Sequence, residues 1–168
     1  MTARFRRSIV CILIAALVIS GAALLIGFSE SGPVLQIRDS ASGRLYGSWP
    51  LETAGDSSGE FSIEFVHSVN QSPIQEIFKA EKSSFRRSIR PLAVRFYSFG
   101  AGVKSDLEEG QTLSRDGDAM IISGFKNSFR ELNYIVGTVS DHLLYVGSET
   151  VSLRDLCGRN AHITIVIK

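Results

Sequence analysis

An all-β domain carried behind one membrane helix is the architecture this sequence predicts, and three observations carry that reading. Residues 8–28 run without a single charge, directly behind Arg4, Arg6 and Arg7. Beyond residue 33 apolar and polar side chains alternate at period two, the spacing of half-buried strands, with no long helical stripe between them. Clusters of Gly, Ser, Asn and Pro cut that alternation into short segments. Such punctuation belongs to an antiparallel β-sandwich or barrel-like sheet of about eight strands, not to alternating strand–helix units.

The N-terminal segment sets the topology. An uncharged run of about 20 residues is what a helix needs to cross the hydrocarbon core of a bilayer. The arginines before it hold that end in the cytoplasm and send the rest of the chain to the far side. Residues 1–32 are therefore read as a basic tip and a single-pass transmembrane anchor that contacts lipid through residues 8–28. A cleaved signal peptide is the competing reading. Its apolar core is shorter, about 7–15 residues, and Gly27-Phe28-Ser29-Glu30-Ser31-Gly32 is a poor small-x-small cleavage site.

Residues 33–168, about 136 in all, make one ordinary domain, large enough to bury its own core. Of the chain's 18 basic and 17 acidic residues, Arg4, Arg6, Arg7 and Glu30 precede it. The domain itself is thus nearly neutral, without the basic excess that a nucleic-acid binder needs. Of the two cysteines, Cys11 falls in the anchor and Cys157 near the other end, so no internal disulfide is expected. Cys157 reads as a small buried hydrophobe.

Along the domain the elements follow in order. Residues 34–38 read as a strand, 40–43 as a turn, and 44–51 as a strand that Pro50 ends. A polar loop over 53–59 leads to a strand over 60–68. Asn70-Gln71-Ser72-Pro73 turns the chain into a second strand over 74–81. Arg86, Arg87 and Arg90, with Lys79 and Lys82, read as a solvated hairpin tip. Further strands are expected over 92–99, 119–123, 132–139, 143–146, 150–153 and 161–167, with hairpin turns at 140–141 and 147–148. Residues 152–156 could instead form a helical turn.

The hairpin of 60–81 carries the most chemistry. With 70–73 as its loop, Glu64 faces Lys79, Val66 faces Ile77, Phe65 faces Phe78, Ile63 faces Ala80 and His67 faces Glu76. A one-residue slip would put the aromatic pair on opposite faces. In this register His67 and Glu76 meet at the turn end of the apolar face, where a charge-assisted hydrogen bond would offset part of their desolvation. A structural pair, a ligand-facing pair and a catalytic dyad all fit that placement. For a dyad a nucleophile must reach His67, and the neighbouring Ser68 should point to the other face.

Ser98-Phe99-Gly100-Ala101-Gly102 is the second distinctive segment. Glycines at alternate positions after a strand permit a tight turn, or let a ligand approach the backbone closely. No helix follows as a dinucleotide site would require. Asp116-Gly117-Asp118 lacks the ligand series of a calcium loop and reads as a surface turn. His142 and His162 have no metal-site spacing with His67. The sequence carries no cofactor signature.

Together the anchor, Phe65-Val66-His67-Ser68-Val69, Pro73 with Glu76 and Phe78, Ser98-Phe99-Gly100-Ala101-Gly102, and the closing Val151-x-Leu153 and 161–167 segments resemble a bacterial family of small exported proteins. Its members have no established activity and are typically encoded beside TRAP transporters of the TAXI type. The resemblance implies an inner-membrane protein with its C-terminal domain in the periplasm. It also implies an accessory role in solute uptake, binding the permease, the solute-binding subunit or a small ligand without catalysis. His67, Ser68, Glu76, Ser98, Gly100 and Gly102 are the expected contact residues. Two other readings stay open: a hydrolase-like enzyme using Ser68 or Ser98 with His67, and a structural assembly factor of the permease.

Overall fold

Period-two burial holds along most of the chain in the computed structural model, which describes residues 32–52, 55, 58–68, 71–83, 86–97 and 107–168. The expected anchor over 8–28 lies outside these residues. Among them no helix is long and apolar enough to cross a membrane. They form eleven strands: β1 (Val34–Asp39), β2 (Leu45–Pro50), β3 (Glu60–Val66), β4 (Pro73–Ser83), β5 (Arg86–Phe96), β6 (Thr112–Asp116), β7 (Ala119–Ser123), β8 (Glu131–Ile135), β9 (His142–Val146), β10 (Glu149–Ser152) and β11 (His162–Ile167). One short helix, α1 (Leu153–Cys157), lies between β10 and β11. The Ser152 hydroxyl caps it by accepting from the Asp155 N–H at 3.0 Å.

The strands make two antiparallel sheets. The smaller runs β2-β1-β11-β8, the larger β10-β9-β3-β4-β5-β7-β6. Leu35 and Ile37 of β1 and Ile163, Ile165 and Ile167 of β11 face Phe61, Ile63, Phe78, Leu144 and Val146 of the larger sheet in one buried core. A second, smaller cluster of Ile74, Phe96, Met120 and Ile122 lies farther along the larger sheet. Cys157 packs half-buried against the main core.

Several expectations need correction. Strand β3 stops at Val66, so His67 and Ser68 belong to the loop. Strands β3 and β4 pair in a different register, with Phe61 opposite Phe78, Ile63 opposite Glu76 and Phe65 opposite Ile74. The displacement is an even number of residues, so every side chain keeps its face while every partner changes. Lys79 consequently approaches Glu60, at 4.0 Å, and not Glu64. The observed register stacks the Phe61 and Phe78 rings, 5.4 Å apart, inside the core.

Arg86 to Arg90 are strand, not hairpin tip, because β5 stays paired with β4 from Ser83↔Arg86 onward. Arg90 is matched there by Glu81, Nε to Oε1 at 2.5 Å. Strand β8 ends at Ile135, short of the expected 139. The strands outnumber the expected eight partly because β6 has no apolar alternation to read: all five of its residues are exposed at the sheet edge.

The smaller sheet ends at β8, so no strand of it covers the inner face of β4, β5 and β7 beyond that line. The segment 124–129 borders this gap. Phe129 exchanges backbone hydrogen bonds with Ile89 (2.7 and 2.8 Å), and the Ser128 hydroxyl donates to Glu81 at 3.0 Å. Gly124 starts the segment at φ 87°, where a Cβ would meet the Gly110 carbonyl oxygen at 2.2 Å, so only glycine fits.

Candidate functional site

The gap is a cavity of about 760 Å³. Phe65, Phe78, Phe96, Phe125, Phe129 and Tyr134 supply rings to its wall, with Ile74, Val94, Ile122 and Leu132 between them. Its polar lining comprises His67, Glu76, Glu108, Lys126 and Tyr134, with Gln111, Asn127 and Asn133. Such a composition, apolar with a few placed polar groups, is that of small-molecule sites.

Glu76 and Tyr134 form the polar centre. Glu76 projects from β4 on the face of Ile74 and Phe78. Tyr134 projects from β8 with Leu132, and its hydroxyl donates to Glu76 Oε2 at 2.5 Å, joining the two sheets. Burial raises the Glu76 pKa above the ordinary carboxylate range, and the Tyr134 hydrogen bond pulls it part of the way back. The Tyr134 hydroxyl is held protonated by burial and by the carboxylate beside it. Behind Tyr134, at 6.1 Å between ring centroids, stands His142, which stacks on Phe65 at 5.0 Å. His142 Nδ1 accepts from the Gly137 N–H at 3.1 Å. Burial lowers the His142 pKa, the Asp141 charge opposes this, and Arg154 adds slightly to it.

The expected residues divide. His67 and Glu76 line the same cavity, but they are not cross-strand partners, since Ile63 takes the place opposite Glu76. His67 starts the loop, its N–H donating to the Ser72 carbonyl at 2.9 Å. Ser68 is exposed, and its carbonyl accepts from Gln71 Nε2 at 2.7 Å. Ser98, Gly100 and Gly102 lie outside the described residues. On either side of that segment, Phe96 and Glu108 both line the cavity. Tyr134 was not singled out from the sequence, and neither were Phe125 and Phe129. The alternation of Leu132 and Tyr134 shows that they share a face, but nothing local shows that β8 lies across from β4. Among the described residues no group of three or more His, Cys, Asp or Glu converges as a metal site would require.

A family model for a domain of unknown function, DUF1850, matches residues 61–153. The chain belongs to the DUF1850 family. No curated protein and no solved structure matches it. The DUF1850 segment takes in all of the larger sheet except Glu60, together with β8, and so contains every wall residue of the cavity. Strands β1, β2 and β11 lie outside it.

Proposed function

We propose that this DUF1850 domain is a binding module that takes a small, largely apolar ligand in the inter-sheet cavity and carries out no chemistry on it. One observation supports the reading above the others: a roomy, ring-lined cavity whose buried centre is a single carboxylate held by a phenol. Such a site supplies shape, apolar area and one fixed polar contact, which is what binding needs. On the resemblance stated above, the module is held on the periplasmic face of the inner membrane by residues 8–28. There it serves a TRAP transporter of the TAXI type, and its ligand or partner belongs to that uptake system.

Native mass spectrometry of the full-length protein purified from its own membranes tests the ligand. A small molecule should co-purify, and Val94→Trp, which fills the cavity from the inner face of β5 opposite Glu76 and Ile122, should exclude it. Retention of the same molecule by the filled variant would place the site elsewhere. In cells, deleting residues 33–168 while measuring permease abundance and uptake separately tests the role. Loss of uptake at unchanged abundance supports a binding module, and loss of the permease itself supports an assembly factor.

A further inference from the structure

We infer that the cavity selects an organic cation, its ammonium set against Glu76 Oε1 and its apolar body among the phenylalanine rings. The inference rests on the cavity being a ligand site, and it adds the class of ligand. Three observations lead to it.

The first is the incomplete satisfaction of Glu76. Tyr134 donates to Oε2, and among the described residues no hydrogen-bond donor is directed at Oε1. A carboxylate in an apolar wall calls for a second donor, preferably a charged one, because charge-assisted hydrogen bonds are about twice as strong as neutral ones. Tyr134 already spends its proton on the carboxylate, so the pair offers an acceptor to an incoming ligand.

The second is the rings. Phe65, Phe78, Phe96, Phe125 and Phe129 share the wall with Tyr134. Aromatic faces are negative, and a cation within about 6 Å of a ring centroid gains from them, more so away from water. The same faces repel an anion.

The third is the balance of charge around the site. From β4 comes Glu76, from β8 Tyr134, from the β3–β4 loop His67, from 107–111 Glu108 and from 124–129 Lys126, while His142 stands behind Tyr134. Among the described residues of the wall the acidic side chains are Glu76 and Glu108 and the basic one is Lys126, and Glu76 alone stands at the centre beside Tyr134. The Lys126 side chain lies along Gly110, where an added Cβ would meet its Cε at 2.6 Å, so it packs over that turn.

Proton linkage gives the inference a signature. Burial holds the Glu76 proton to higher pH than usual. An ammonium favours the ionised carboxylate, so its binding expels that proton and its affinity rises with pH through the Glu76 titration. An anionic ligand would use the protonated form as a donor and would show the opposite slope.

Isothermal titration of the purified full-length protein with 4-phenylbutylammonium, 4-phenylbutanol and 4-phenylbutyrate, from pH 5 to pH 8, tests it. The ammonium should bind at least about tenfold tighter than the alcohol at the upper end, a difference of about 1.4 kcal/mol. Buffers of different ionisation enthalpy should reveal proton release on binding. Glu76→Gln, which keeps an acceptor for Tyr134, should remove both the preference and the proton release. Glu64→Gln, at the carboxylate that accepts from Tyr145 on the opposite face of the larger sheet, should leave them, separating Glu76 from a general loss of charge. Tightest binding by the carboxylate or the alcohol, or an ammonium preference that survives Glu76→Gln, overturns the cation while leaving a ligand cavity in place. Failure of all three compounds to bind overturns the cavity reading and the inference together. The ranking and the proton release are measured on the unsubstituted protein, so neither depends on a variant folding.

Discussion

A carboxyl group set into an apolar wall destabilises the folded state to the extent that it is charged, and Glu76 sits in such a wall. Its proton is held more tightly in the folded protein than in the unfolded chain, because burial outweighs the Tyr134 hydrogen bond. The sign follows from linkage: what the neutral group contributes is fully present below the unfolded pKa and is lost as pH rises through the folded one. Glu76→Gln should therefore raise the melting temperature at pH 8, and the gain should fade as pH falls below about 4, where the glutamate becomes protonated in both states. A gain independent of pH would trace the effect to packing and not to ionisation, and a loss at pH 8 would mean that the fold stabilises the charged carboxylate. His142 has the opposite dependence. Its folded pKa is lowered, so its contribution is present above about 6.5 and is lost as pH falls below that value. Geometry agrees, since Nδ1 accepts from the Gly137 N–H and a proton placed there would turn donor against donor. A nitrogen-detected titration should find His142 as the Nε2–H tautomer, with its midpoint below that of a free histidine. A midpoint at or above 6.5 would mean that the Asp141 charge wins over burial.

Register decides which side chains meet, and it is the property that alternation reads least well. The apolar faces of β3 and β4 were legible because Phe61, Ile63 and Phe65 recur at period two, as do Ile74, Glu76 and Phe78. Period two excludes odd slips but cannot separate two registers that differ by an even number of residues. The shorter loop, with Phe65 opposite Phe78 and His67 opposite Glu76, satisfies the same rule as the observed one. Core depth decides between them: the observed pairing puts both Phe61 and Phe78 in the main cluster and leaves Phe65 to stack on His142. A double-mutant cycle on stability tests this. Phe61 and Phe78 should couple by about 0.5–1.5 kcal/mol, the usual value of an aromatic pair, and more than Phe65 and Phe78 do. Stronger coupling of Phe65 with Phe78 would favour the shorter loop. Tyr134 illustrates the other limit. Its hydrogen bond to Glu76 joins residues 58 apart in sequence, across two sheets, and no local pattern encodes such a contact.

On the scale of the molecule, unequal sheets create the site and equal dependence holds it together. Among the described residues, seven strands against four leave part of the larger sheet without a strand of the smaller sheet over it, and the cavity opens where the smaller sheet ends at β8. The family segment, residues 61–153, holds the whole cavity wall but only one of the four strands of the smaller sheet. The core cannot close without the others. Leu35, Ile37, Ile163, Ile165 and Ile167 come from β1 and β11, all buried, opposite Phe61, Ile63 and Leu144. Strands β1 and β11 also tie the two ends of the domain, with Val34 and Lys168 exchanging backbone hydrogen bonds at 2.8 Å. Removing both strands would expose the inner face of the larger sheet to water and leave β8 without a partner, since β11 is its neighbour in the sheet. Each buried leucine or isoleucine of those strands is worth about 1.5–3 kcal/mol, so the five together, about 7.5–15 kcal/mol, are comparable to a whole stability margin of typically 5–15 kcal/mol. Residues 61–153 expressed alone should therefore show no cooperative melting and no amide protection in β3 and β9. Residues 32–168 should show both. Cooperative unfolding of the shorter piece would mean that the larger sheet and β8 hold a core of their own, with β1, β2 and β11 added to a structure already complete.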